Sequence, residues 1–130
     1  AWTLVDSDPV NYSYLSQSLT LAAGQPYTKQ LRIKKTVGPQ STYPVTTIEQ
    51  GANLALVTID TTNGVATAWT TYSGVAILPT SATCTDSGLF WLVSITTTLP
   101  VTAASNLVLY AAAAATPNKS SGVLDGTLQG

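Results

Sequence analysis

The chain has 130 residues, the size of one domain, with 45% apolar residues, 8% charged residues and a net charge of −1. Average domains carry about 25% charged residues, and low charge signals disorder only when apolar content is also low, so this chain folds and its missing charge implies surface that does not meet ordinary solvent. Histidine is absent and Cys84 is the single cysteine, which excludes an intrachain disulfide, a Cys-based zinc site and the commonest general base.

Residues 1–100 are dense in Thr, Val, Ile and Tyr, with Gly, Pro and Asn at intervals, which is strand-and-turn composition. Trp2 to Leu21 reads as a hairpin turning at Asp6-Ser7-Asp8-Pro9. A second hairpin runs from Gln30 to Val37, turns at Gly38-Pro39-Gln40-Ser41 and returns from Tyr43 to Gln50. Further strands are expected at Leu54 to Ile59, Val65 to Tyr72, Val75 to Cys84 and Leu89 to Leu99, with Asn63-Gly64 as a tight turn. Texture then changes, because Asn106 to Tyr110 leads into five alanines, Ala111 to Ala115. Alanine is the best helix former and is depleted in strands. Residues 103–115 are therefore expected to form a helix, with Thr102 as its cap and Pro117 as its stop. A second helix after Ser120-Ser121 carries Val123, Leu124 and Leu128 on one side. The expected organisation is a single domain, 1–130, with hairpins and sheet over 1–100 and a helical segment over 101–130.

No basic segment followed by an apolar stretch opens the chain, and the longest apolar run, Asn106 to Ala115, is too short to span a bilayer. No membrane partner is expected. Ala1 fits removal of an initiator Met, which makes a complete small protein the expectation.

The acids Asp6, Asp8, Glu49, Asp60, Asp86 and Asp125 mostly sit beside Gly, Ser, Pro or Asn, where turn and capping roles come first. Cys84 reads as a small buried residue with no base to activate it. The expectation is a non-enzyme without metal or cofactor. Four of the five cations, Lys29, Arg32, Lys34 and Lys35, fall close together. Strand alternation gives Leu31, Ile33 and Val37 one face and Arg32, Lys34 and Thr36 the other. Along Leu89 to Thr98 the same alternation separates Leu89, Trp91, Val93 and Ile95 from Ser94, Thr96 and Thr98. Arg32, Lys34, Thr36, Ser94, Thr96 and Thr98 then make one polar sheet face suited to nucleic-acid phosphates, against the simpler reading of a solvated strand face.

Three stretches resemble the coat proteins of single-stranded RNA bacteriophages, the levivirus-like group. Trp2 to Tyr12 is similar to their opening hairpin, Leu31 to Gln50 to their central hairpin, and Leu92 to Pro100 with the alanine-rich segment to their last strand and terminal helices. The resemblance implies an α+β fold, an antiparallel sheet with an N-terminal hairpin and two C-terminal helices that lie across a partner's sheet in an interlocked dimer. It also implies self-assembly into a capsid around genomic single-stranded RNA, in a virion built in the host bacterial cytoplasm.

A second resemblance is to jelly-roll glycan-binding modules of phage tail and spike proteins, an all-β alternative. Tyr14 to Thr28 is similar to their opening strand and turn, Ile59 to Thr67 to their middle hairpin, and Phe90 to Ser94 sits where they carry an aromatic pair. That reading makes Tyr110 and the alanines a strand. The helix propensity of the alanine run favours the coat protein.

Overall fold

The computed structural model describes residues 3–6, 14–35, 43–69, 75–110 and 126–129. Its elements are β1 (Thr3–Asp6), β2 (Tyr14–Leu21), β3 (Pro26–Lys34), β4 (Val45–Gln50), β5 (Asn53–Asp60), β6 (Val65–Trp69), β7 (Val75–Ala76), β8 (Ser81–Ser87), β9 (Phe90–Thr98), β10 (Ala103–Tyr110) and β11 (Gly126–Gln129). The described residues are all-β, with no helix among them. The larger sheet has the order β2-β10-β4-β5-β6, with β7 added in parallel to β5 beyond the reach of β6. The smaller has the order β3-β9-β8, and β1 pairs with β11 in a separate ribbon.

The two sheets pack face to face. Ile33, Val93 and Ile95 of the smaller meet Val57, Ile59 and Leu109 of the larger, with Trp91 and Leu31 packed against them. These residues occupy one parity of each strand, as alternation requires of a sheet with a buried face. The larger sheet also carries a buried apolar cluster on its other face, formed by Val45, Leu54, Leu56, Val108 and Tyr110. β5 and β10 thus bury apolar residues on both sides, and β4 between them buries Thr46 and Thr47 along with Val45 and Ile48.

That double burial explains the main correction. The expected α+β fold with two C-terminal helices is replaced by an all-β fold. Ala103–Tyr110 is the strand between β2 and β4, and not the start of a helix. Leu107 and Leu109 face one sheet surface while Val108 and Tyr110 face the other, so the run Leu-Val-Leu-Tyr satisfies a strand buried on both sides. The alanine run, Ala111 to Ala115, lies outside the described residues. Thr102 caps no helix; its hydroxyl accepts the Ala23 amide at 2.9 Å. Where the second helix was expected, Gly126–Gln129 is a strand. Among the described residues there is accordingly no element for the interlocked dimer.

Both expected hairpins of the first half also differ. β1 pairs with β11 and not with β2. β3 pairs with β9, whereas β4 lies in the opposite sheet beside β10 and β5. The turn at Gly38 to Ser41 lies outside the described residues. The expected strand from Val75 to Cys84 is split at residues 77–80, where Pro79 lacks an amide and the Thr80 amide bonds the Thr96 carbonyl. The Asn63-Gly64 turn joins β5 to β6 as expected. The jelly-roll alternative is closer in class. The chain crosses between the sheets from β2 to β3, from β3 to β4 and from β9 to β10, whereas β4, β5 and β6 run consecutively through one.

Candidate functional site

Antiparallel register puts directly opposed residues on one face. Arg32 opposes Leu92, Lys34 opposes Phe90, Gln30 opposes Ser94, Thr28 opposes Thr96 and Pro26 opposes Thr98. Arg32, Lys34, Ser94, Thr96 and Thr98 therefore share the outer face of the smaller sheet. Thr36 lies outside the described residues. The face is hydroxyl-rich: Thr28 and Thr96 hydroxyls meet at 2.9 Å, and Thr83 and Thr85 of β8 continue the rows.

Its cationic character is thinner than the sequence suggested. Arg32 lies over the Phe90 ring at 4.7 Å. Lys35 pairs with Asp86 at 2.7 Å and covers Trp91 at 4.3 Å. The Lys35 ammonium and the Gly88 amide hold the Asp86 carboxyl below its usual range. Lys29 has turned inward. Its ammonium donates to the Thr46 hydroxyl, to the Val108 carbonyl at 2.8 Å and to the Thr47 carbonyl at 3.2 Å. Burial lowers its pKa to about 7, with the Glu49 charge opposing that shift. The signal was present in the sequence, since Lys29 shares parity with Leu31 and Ile33.

The most complete recognition geometry lies elsewhere, on the outer face of the larger sheet. A cleft of about 440 Å³ is lined by Tyr43, Thr58, Asp60, Asn63, Val65, Thr67 and Trp69. Strand pairing builds it: Thr58 opposes Thr67, Asp60 opposes Val65, and Trp69 stands one row along. The Trp69 indole donates to the Thr58 hydroxyl at 2.8 Å, which fixes its ring plane. Asp60 anchors the turn, accepting the Thr62 and Asn63 amides at 2.9 and 3.0 Å and the Asn63 side-chain amide at 2.8 Å. Partial burial works against its charge, but these three hydrogen bonds prevail and hold the carboxyl below its usual range.

The turn is pinned from below by the other sheet. Trp91 of β9 donates its indole N–H to the Thr61 carbonyl at 2.7 Å. Gly64 adopts φ 68°, and a Cβ there would stand 2.5 Å from the Trp91 ring. From sequence Asp60 and Asn63 have turn roles and none of the cleft residues marks a site, although Thr58 and Asp60 share parity before Asn63-Gly64 and Val65, Thr67 and Trp69 share it after.

A second cleft on the same sheet face, about 400 Å³, is lined by Tyr14, Ser16, Ser18, Glu49, Asn106, Val108 and Tyr110. There Tyr110 and Thr47 hydroxyls donate to Glu49 at 3.0 and 2.8 Å, and the Tyr14 and Tyr110 rings are 5.8 Å apart. Cys84 is half-buried; burial, with the Asp60 charge, pushes its thiol up to about 11, away from the thiolate that nucleophilic chemistry needs.

The described residues form an all-β, two-sheet architecture with an aromatic-lined cleft on one outer face. Comparison with known proteins finds no family model, no curated protein and no solved structure that matches it.

Proposed function

We propose that this protein is a non-catalytic β-sandwich module that binds a neutral glycan in the cleft between Tyr43 and Trp69. The observation that carries the reading is the set of groups gathered there: an indole of fixed orientation beside a carboxylate, a side-chain amide and two threonine hydroxyls. Sugars present an apolar C–H face and a rim of hydroxyls, so a fixed aromatic plane flanked by hydrogen-bonding groups suits both. The cleft volume falls within the range of small-ligand sites, about 300–1,000 Å³. The Asp60 charge, with no cation among the described lining residues, favours neutral over acidic sugars.

The coat-protein expectation loses the element that supported it, because its dimer was to be clasped by helices. RNA packaging loses support as well, since Lys29 turns inward to the Val108 carbonyl and Lys35 is paired.

The test is an array of neutral and acidic glycans, followed by calorimetric titration of the hits. Binding of a neutral glycan that Trp69→Ala abolishes, in a variant that still unfolds cooperatively, is the expected result. Absence of any neutral-glycan hit, or equal affinity in folded Trp69→Ala, overturns the reading.

A further inference from the structure

We propose that two copies of this chain associate edge to edge through β8, about a two-fold axis at Cys84. β8 is the terminal strand of the smaller sheet, and among the described residues nothing pairs with its outer side. Ser87 and Phe90 close a two-residue loop and so form a hydrogen-bonded pair. Alternation then turns the backbone groups of Ser81, Thr83, Thr85 and Ser87 towards β9, and those of Ala82, Cys84 and Asp86 towards the open edge. The Thr80 amide bonds the Thr96 carbonyl, which lies opposite Ser81 and so points towards β8, in agreement with this phase.

The partner follows from the sequence of the strand. Ser81-Ala82-Thr83-Cys84-Thr85-Asp86-Ser87 reads almost the same in both directions about Cys84. A closed dimer has two-fold symmetry, and its shared surface must be complementary to itself. Antiparallel pairing about Cys84 sets Thr83 opposite the second copy's Thr85, and Ser81 opposite its Ser87. It also sets Cys84 opposite Cys84, and Ala82 opposite Asp86, so no like charges meet. The edge groups that point outward are the ones an antiparallel partner needs. Three hydrogen-bonded pairs form, centred on Cys84.

Edges are normally protected by charge, by proline or by covering segments. Among the described residues β8 has Asp86 alone within Ser81–Ser87, and that carboxylate is engaged by Lys35 of its own chain. The outward side chains Thr83 and Thr85 are exposed threonines, a β-favouring type that forms cross-strand hydrogen bonds. Pairing joins the two smaller sheets into one and extends their hydroxyl face across the dimer. β8 lies over β6, so the same approach brings together the edges that carry the exposed Val65.

The inference is independent of the glycan reading, and its test does not use a ligand. Sedimentation velocity of the parent, across micromolar to millimolar concentration, is compared with Thr83→Lys/Thr85→Lys, with Thr83→Glu/Thr85→Glu and with their mixture. Both positions are exposed, so each variant retains the monomer fold. The parent is expected to dimerise, each charged variant to associate about tenfold more weakly or less, and the mixture to recover the dimer. A parent that stays monomeric throughout overturns the proposal. So does a dimer that the charged variants form as well as the parent, or a mixture that fails to recover it.

Discussion

The Lys29 ammonium of one sheet meets the Val108 carbonyl of the other at 2.8 Å, on the inward side of β3 and half-buried between the sheets. The Thr46 hydroxyl shares that carbonyl at 3.1 Å, so the cation is embedded in a small polar network between β3, β4 and β10. Burying an ammonium raises the energy of its charged form, which explains the fall of its pKa to about 7.

This predicts an unusual pH dependence. Lysine in the unfolded chain titrates near 10.4, so between about pH 7 and that value the unfolded state binds more protons than the folded one. Stability therefore rises with pH through the window. Above about pH 9 the raised Cys84 pKa opposes the trend, because the unfolded thiol ionises first. Denaturant unfolding at pH 7, 8 and 9 should show a rising midpoint. Lys29→Met should remove most of the slope and leave the Val108 carbonyl with the Thr46 hydroxyl.

Gly64→Ala should destabilise the protein by about 2–3 kcal/mol, beyond the roughly 1 kcal/mol of a left-handed backbone position alone. The added Cβ meets the Trp91 ring, which cannot swing aside without losing its bond to Thr61 and its contact with Lys35. Thermal unfolding measures the loss. Glycan affinity should fall in step, because the same turn carries Asp60 and Asn63.

Leu109→Ala should cost about 2–5 kcal/mol, the range for a large side chain removed from a packed core. Leu109 is 7% exposed and packs between the two sheets. Asn106→Ala, on the same strand but exposed, loses a hydrogen bond with Ser18 and should cost about 1 kcal/mol or less. Near-equal costs in chemical denaturation would contradict β10 as the strand between β2 and β4.

RNA binding by the outer face of the smaller sheet should be weak. With Arg32 and Lys34 as the phosphate contacts, the slope of log affinity against log salt is no steeper than about −1.4 for a single strand. Filter binding across a salt series reads the slope directly. Arg32→Ser should leave the unfolding midpoint nearly unchanged, since Arg32 is exposed and exposed charges add little to stability, while halving the salt slope.

Much of the strand content was legible in the residues alone. Alternation placed Leu31 and Ile33 on the buried side of β3, Trp91, Val93 and Ile95 on the buried side of β9, and Arg32 with Ser94 and Thr96 on one outer face. Asn63-Gly64 marked the β5–β6 turn because a positive φ at a tight turn is a local requirement, met by Gly64 at 68°. These properties depend on side-chain parity and backbone sterics within a few residues, which the sequence carries directly.

Which strand lies beside which was decided only in three dimensions. β3 and β4 follow one another in the chain yet belong to opposite sheets, and β10 enters between β2 and β4 from far along the sequence. No local signal separates those pairings from the hairpins they replace, because each is chosen by how much apolar surface the whole assembly buries. The same competition made a strand of Ala103–Tyr110. Helix propensity is worth a few tenths of a kcal/mol per residue, whereas burying Val108, Leu109 and Tyr110 on two faces of a sheet contributes about 1.5–3 kcal/mol for each large side chain. The cleft at Trp69 follows from those pairings, since its hydroxyls, amide and indole converge only once β5 and β6 lie side by side.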